Sequence, residues 1–307
     1  MKTKPNAAPS DTKALVPANA PAGEGAEVVV ASDFMNRFAA MAGAGAENIT
    51  ADAKAVPFLR LLQAKSPEVE NDGDNYRAGM LVHSITGERY DIREKGGNPL
   101  PFLLCHFHKE IVEWGDKDAG NGGIKKRHAC TPAALTKLAT LPRKEGGTGK
   151  GAPVLPSGNT LVETAYHDVV LLTPEGPVAG CLPLKSSGLT PSKKLMHVVD
   201  SQVMTTPDGK SFKPPTFAKV YAVQSFLDKQ KTGAQNTFQN VRFQLIGTVT
   251  DEASLMMAEE FYKSIQAGHV VRDDEQKLEG ADAPAEGSEA PENGSGAPAP
   301  SDDDVPF

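Results

Sequence analysis

The most regular alternation of hydrophobic and polar positions runs through NTFQNVRFQLIGTVT, residues 236–250. There Val241, Phe243, Leu245 and Val249 fall on one side and Asn240, Arg242, Gln244 and Thr248 on the other. A period of two places successive side chains on opposite sides of a strand, so this segment reads as a half-buried antiparallel strand. PFLLCHFHKEIVEW, residues 101–114, is nearly continuous in apolar residues and predicts a strand buried for most of its length, with Leu103, Cys105, Phe107 and Ile111 forming one inward face. Residues 160–174, 178–184 and 216–233 read as further strands. MLVHSI is a short strand leading into a turn through Gly87, and Pro57 makes VPFLRLLQAKSPEV an edge strand or extended segment.

Helical spacing is clearest in DEASLMMAEEFYKSIQAG. Thr250 or Asp251 caps it, Leu255, Met256, Ala258, Phe261, Tyr262 and Ile265 make its apolar stripe, and Gly268 closes it. A second helix opens at Thr190 with Pro191 in its first turn. A short one starts at Thr131 and Pro132, and another, capped by Ser32 or Asp33, carries Phe34, Phe38 and Met41. The sum is mostly β with α additions. A small barrel or a partly open antiparallel sheet, with long loops and a C-terminal helix, is the architecture this order predicts.

Both ends depart from these patterns. Residues 1–30 read as a disordered arm, residues 31–272 as one elaborated core, and residues 273–307 as a disordered acidic tail. From Asp273 onward there are 11 acidic residues and one base, Lys277, a net −10; the chain total of −7 therefore leaves +3 for the body. No signal-peptide core and no run of 18 apolar residues is present, which predicts a soluble protein of the cytoplasm, that of the host cell if a phage encodes it. Cys105, Cys130 and Cys181 are too few for a disulfide framework. Inside the core, residues 115–160 form a Gly-rich basic excursion carrying Lys125, Lys126, Arg127, Arg143, Lys144 and Lys150. Two readings of it stay open, a DNA-contacting flap and a solvated insertion.

The chain ends SDDDVPF, and Val305 and Phe307 are the only residues after Leu278 that are both apolar and larger than alanine or proline. This ending resembles the acidic tip of bacterial single-stranded DNA-binding proteins, with Asp302, Asp303 and Asp304 as the acidic run, Val305 as the branched position and Pro306–Phe307 as the terminal pair. The resemblance implies an OB-like core that holds single-stranded DNA and a tip that docks replication or recombination proteins. Single strands are held by basic grooves with flat side chains on which bases stack. The residues that suit such a surface are Trp114, Tyr166, Phe217 and Tyr221 for stacking, and Lys125, Lys126, Arg127, Lys219 and Arg242 for phosphates. Phe217, Lys219 and Tyr221 are expected on one face of one strand. On this reading the protein binds and protects single-stranded DNA, possible oligomers forming on the strand. The alternative is a phage structural or assembly protein with a disordered acidic tail.

Catalytic signatures are missing. GTGKGAP lacks the spacing of a phosphate-binding loop, and Asp168 stands alone among apolar neighbours, so no enzyme and no cofactor is expected. Cys105, His106 and His108, with His128 and Cys130 further on, have the composition of a zinc site. Cys105 and His108 nevertheless point apart on a straight strand, and the sequence reading is therefore of a protein that needs no metal.

Overall fold

The computed structural model describes residues 55–116, 120, 122–144, 151–229, 237–269 and 271–272, with isolated positions at 37, 40, 41 and 44. The chain divides into two units, Met1–Thr50 and Ala51–Phe307. In the first, Arg37 and Ala40 are helical and the Ala44 amide donates to the Met41 carbonyl at 3.0 Å. The arm at 1–30, the tail at 273–307 and the tip residues Asp302, Asp303, Asp304, Val305, Pro306 and Phe307 lie outside the described residues.

The second unit is a mixed α/β fold built on an open antiparallel sheet, so of the two predicted forms the open sheet is the one adopted, and not the barrel. In order it comprises β1 (Ala55–Val56), β2 (Leu59–Leu61), α1 (Pro67–Asn71), β3 (Leu81–His83), β4 (Arg89–Tyr90), β5 (Leu100–Trp114), β6 (Ile124–Ala129), α2 (Pro132–Thr140), β7 (Thr160–Thr173) and β8 (Gly176–Lys185). There follow α3 (Leu189–Asp200), β9 (Met204–Thr205), β10 (Ser211–Phe212), β11 (Lys219–Lys229), β12 (Thr237–Thr248), α4 (Glu252–Gln266) and β13 (Val271–Arg272). The main sheet has the order β12-β11-β5-β7-β8, and β6 pairs with the outer half of β5. A three-stranded sheet β2-β3-β4 packs beside it.

Both faces of the main sheet are covered near its centre, because the middle strands are apolar on both sides. On one face Phe102, Leu104, Val169, Leu171, Tyr221 and Val241 pack with Leu195 of α3 and with Leu59, Leu81 and Ile92. On the other, Leu103, Cys105, Tyr166, Val170 and Cys181 pack with Phe58 and with Ala258 and Phe261 of α4. Helix α4 starts where its sequence says it should. Asp251 accepts from the Ser254 amide at 2.8 Å, and Gly268 stops the helix with φ +72°. The second sheet is tied down through Gly79, which has φ +95° and accepts from Ser225 Oγ at 2.6 Å; an added Cβ would come within 2.8 Å of that oxygen. The edge strand β12 is closed at one end by Gln63, whose side-chain amide donates to the Gln239 carbonyl at 3.1 Å while its oxygen accepts from the Gln239 amide at 2.8 Å.

One irregularity reorients the outer half of β5. Leu104 pairs with Val169 and His106 with Asp168, which leaves Cys105 as an extra residue opposite nothing on β7. Such a bulge lets two consecutive residues lean to the same side and reverses the alternation beyond it. The faces show the reversal: Leu103 and Cys105 share a core with Val112 and Trp114, while Phe102 and Leu104 lie in the other. Thr216 holds the bulge in place by donating from its hydroxyl to the Leu104 carbonyl at 2.6 Å.

Candidate functional site

Beyond the bulge, the even-numbered residues of β5 point to the same face as the even-numbered residues of β7. His106 stands across from Asp168 and His108 across from Tyr166. His106 Nδ1 lies 3.1 Å from Asp168 Oδ2, and His108 Nδ1 lies 3.9 Å from the same oxygen. The two imidazoles stack with centroids 5.3 Å apart, and His108 stacks in turn on Tyr166 at 5.0 Å with an interplanar angle of 12°. The Asp168 side chain is 0% exposed, whereas His106 and His108 keep 26% and 23%, so a buried carboxylate sits at the floor of an accessible pair of rings.

A second ring of groups surrounds the first. Glu110 Oε1 is 3.8 Å from His108 Nε2. Arg127, on β6 opposite Val112, donates to the other oxygen of Glu110 at 2.9 Å and to the Tyr166 hydroxyl at 2.7 Å. The cluster therefore draws on three neighbouring strands. Its donors are imidazole nitrogens and carboxylate oxygens, and His106, His108 and Asp168 bring one such atom each to within 4.8 Å of one another.

The other side of β7 holds a contrasting histidine. His167 is fully buried; its Nδ1–H donates to the Leu182 carbonyl at 3.1 Å and its Nε2 accepts from Ser192 Oγ at 3.0 Å. Burial holds its pKa down to about 4, so the ring is neutral at physiological pH. Every hydrogen-bonding position on it is used by the fold, and it is a structural residue.

The residues expected to form a stacking surface are not gathered into one. Tyr166 and Tyr221 are 1% and 0% exposed and belong to opposite cores. Phe217 precedes β11 in a 3₁₀ turn at Thr216–Ala218 and packs on Tyr262 at 5.8 Å, so Phe217, Lys219 and Tyr221 do not line one strand face. Trp114 is half-buried beneath the Lys185 ammonium, 4.7 Å from its ring centre. Lys125 and Lys126 are exposed on β6, a strand where a loop was expected, and Arg127 is engaged by Glu110 and Tyr166. Lys219 Nζ donates to Thr248 Oγ1 at 3.0 Å, and Arg242 bonds Gln224 and Glu94. Cross-strand pairing claims these side chains, and composition could not reveal it.

The zinc set suggested by composition is likewise dispersed. Cys105 is buried with its thiol pKa pushed well up by burial and by Asp168, His128 pairs with Glu113 at 3.1 Å, and Cys130 follows β6 with burial raising its pKa. All three cysteines are thiols. The straight-strand argument against metal fails at the bulge, which the sequence does not announce. The sequence shows Asp168 only as a lone acid among mostly apolar neighbours; that it stands across from His106, some sixty residues earlier, follows from the pairing of β5 with β7.

An open antiparallel sheet with a histidine–carboxylate cluster on its central strands defines the class of the folded body. Among the described residues no helix is long and apolar enough to cross a membrane. The chain belongs to the Pam3 phage gp34-like protein family, whose model matches residues 23–271. No curated protein and no solved structure matches it. Membership overturns the assignment as a single-stranded DNA-binding protein of replication or recombination. The kinship spans the folded body and is to a phage protein, while the six terminal residues that carry the DNA-binding resemblance fall outside the match.

Proposed function

We propose that the protein is a structural or assembly component of a bacteriophage. The observation that carries this is the family match over residues 23–271, which takes in the whole main sheet and both of its cores. The sheet offers a physical means for such a role. Among the described residues β12 pairs only with β11, and beyond the Gln63 contact its outer edge carries backbone groups that another chain could pair with. Leu227 and Ile246, 58% and 51% exposed, add apolar surface on these two outer strands. The role requires no catalytic step.

The test is made on the phage that encodes the chain. Mass spectrometry of purified particles and of assembly intermediates is expected to find the protein in fixed proportion to other components, and disruption of its gene is expected to lower particle yield. Absence from every particle and intermediate, with normal yield after disruption, would sink the proposal.

A further inference from the structure

We propose that His106, His108 and Asp168 form a binding site for a divalent first-row transition metal of the zinc or cobalt type. In this site the two Nδ1 atoms and Asp168 Oδ2 are the ligands, and a further position is left open to solvent. Geometry is the first support. Metal–ligand bonds of about 2.0–2.2 Å in a tetrahedral set place ligand atoms roughly 3.3–3.6 Å apart. Here the two imidazole nitrogens stand 3.1 and 3.9 Å from the carboxylate oxygen, so small side-chain rotations complete the set. Two imidazoles and one carboxylate with open positions is a donor set that suits such ions over calcium or magnesium.

Charge is the second support. A wholly buried carboxylate is costly unless compensated. Asp168 Oδ2 stands 3.1 Å from His106 Nδ1 and 3.9 Å from His108 Nδ1, so a divalent ion held among these atoms would set positive charge directly against the buried carboxylate. The surroundings give the third. Ligating histidines commonly direct their other ring nitrogen at a carboxylate, which fixes tautomer and orientation. His108 Nε2 faces Glu110 at 3.8 Å, a gap that a small rotation of the Glu110 side chain would close to a hydrogen bond, and Arg127 holds Glu110 in turn at 2.9 Å. Glu110 is thus a positioning residue. The bulge at Cys105 is what brings both histidines to the face of Asp168, and the Thr216 hydroxyl maintains it.

The full chain, stripped with chelator, is titrated with cobalt(II) and then zinc(II). The expected result is one tight cobalt site per chain, with visible d–d bands, no thiolate charge-transfer band in the near ultraviolet, and displacement by zinc. His106→Gln and His108→Gln are each expected to weaken binding at least roughly tenfold. Glu110→Gln should weaken it about 10- to 100-fold with the bands unmoved, and His128→Gln should leave it as in the parent. If the glutamine variants do not fold, protection of His106 and His108 from diethyl pyrocarbonate by zinc, mapped in the parent, gives the same answer. Failure of the parent to bind cobalt, a thiolate band, bands unchanged in both histidine variants, or unprotected histidines would each overturn the site. The result is independent of whether the protein is found in phage particles.

Discussion

His167 on β7 and the pair His106–His108 on the neighbouring β5 have opposite fates. His167 faces the core closed by α3, where Leu182 and Ser192 occupy both of its nitrogens. His106 and His108 face the other side, keep about a quarter of their surface, and converge on a buried acid. The difference shows that burial and completeness of hydrogen bonding, more than residue type, separate a structural histidine from one available for chemistry. The two faces also differ in what supports them. Both carry apolar packing, but only the second adds a polar chain running from Asp168 through His108 and Glu110 to Arg127 and Tyr166.

That contrast can be tested in four ways. The largest effect should come from the packed face. Phe102, 1% exposed and in ring contact with Tyr221 and Phe243, is expected to cost about 3–5 kcal/mol on truncation to alanine. A denaturant midpoint displaced by less than a fifth of that would mean the face is not the close-packed core described.

Next comes pH. An unfolded chain protonates His167 near 6.5, but the folded protein resists until about 4. Between those values the unfolded state binds more protons, so stability must fall as pH drops through this window and level off below it. The full loss is on the order of 3 kcal/mol. His167→Gln should flatten this part of the stability–pH curve; an unchanged slope would assign the sensitivity to another group.

The polar face should respond less. Arg127→Met removes charge-assisted bonds to Glu110 and Tyr166 from a side chain still 29% exposed, and is expected to cost about 1–2 kcal/mol. Double-mutant cycles with Glu110→Gln should show coupling between the two residues, and strict additivity would remove the lattice from the comparison. On the surface, Lys213→Ala breaks an exposed pair with Asp200 and should leave the midpoint where it was.

Much of the fold was legible in the order of residues. β7, β8, β12 and α4 fall where alternation, branching and capping put them, because those signals are local. The candidate site was not legible, and the reason is a single residue. With Cys105 extruded from the ladder, inward positions on β5 change parity, and Phe107 and Ile111 no longer share a face with Leu103 and Cys105. No propensity marks that position. The aromatic surface failed for a related reason. β7 and β11 are covered on both faces, so Tyr166 and Tyr221 had no solvent side to occupy. The partners of two basic side chains, Glu110 for Arg127 and Gln224 for Arg242, lie on other strands, and no sequence pattern shows those pairings.

The central place of β5 also has a consequence in time. Its edge toward β7 can be satisfied once residue 173 has been made, but Leu100–Leu103 pair on their other edge with Val220–Val223. At a synthesis rate of about 5–20 residues per second, that apolar edge stays open for a few seconds after β7 is complete. Pairings this far apart in sequence slow folding, even though the loop-closure cost itself rises only gradually with length. Where many copies are made at once, those seconds are when neighbouring chains can pair with the wrong edge, and a chaperone that shields Leu100–Cys105 would act there.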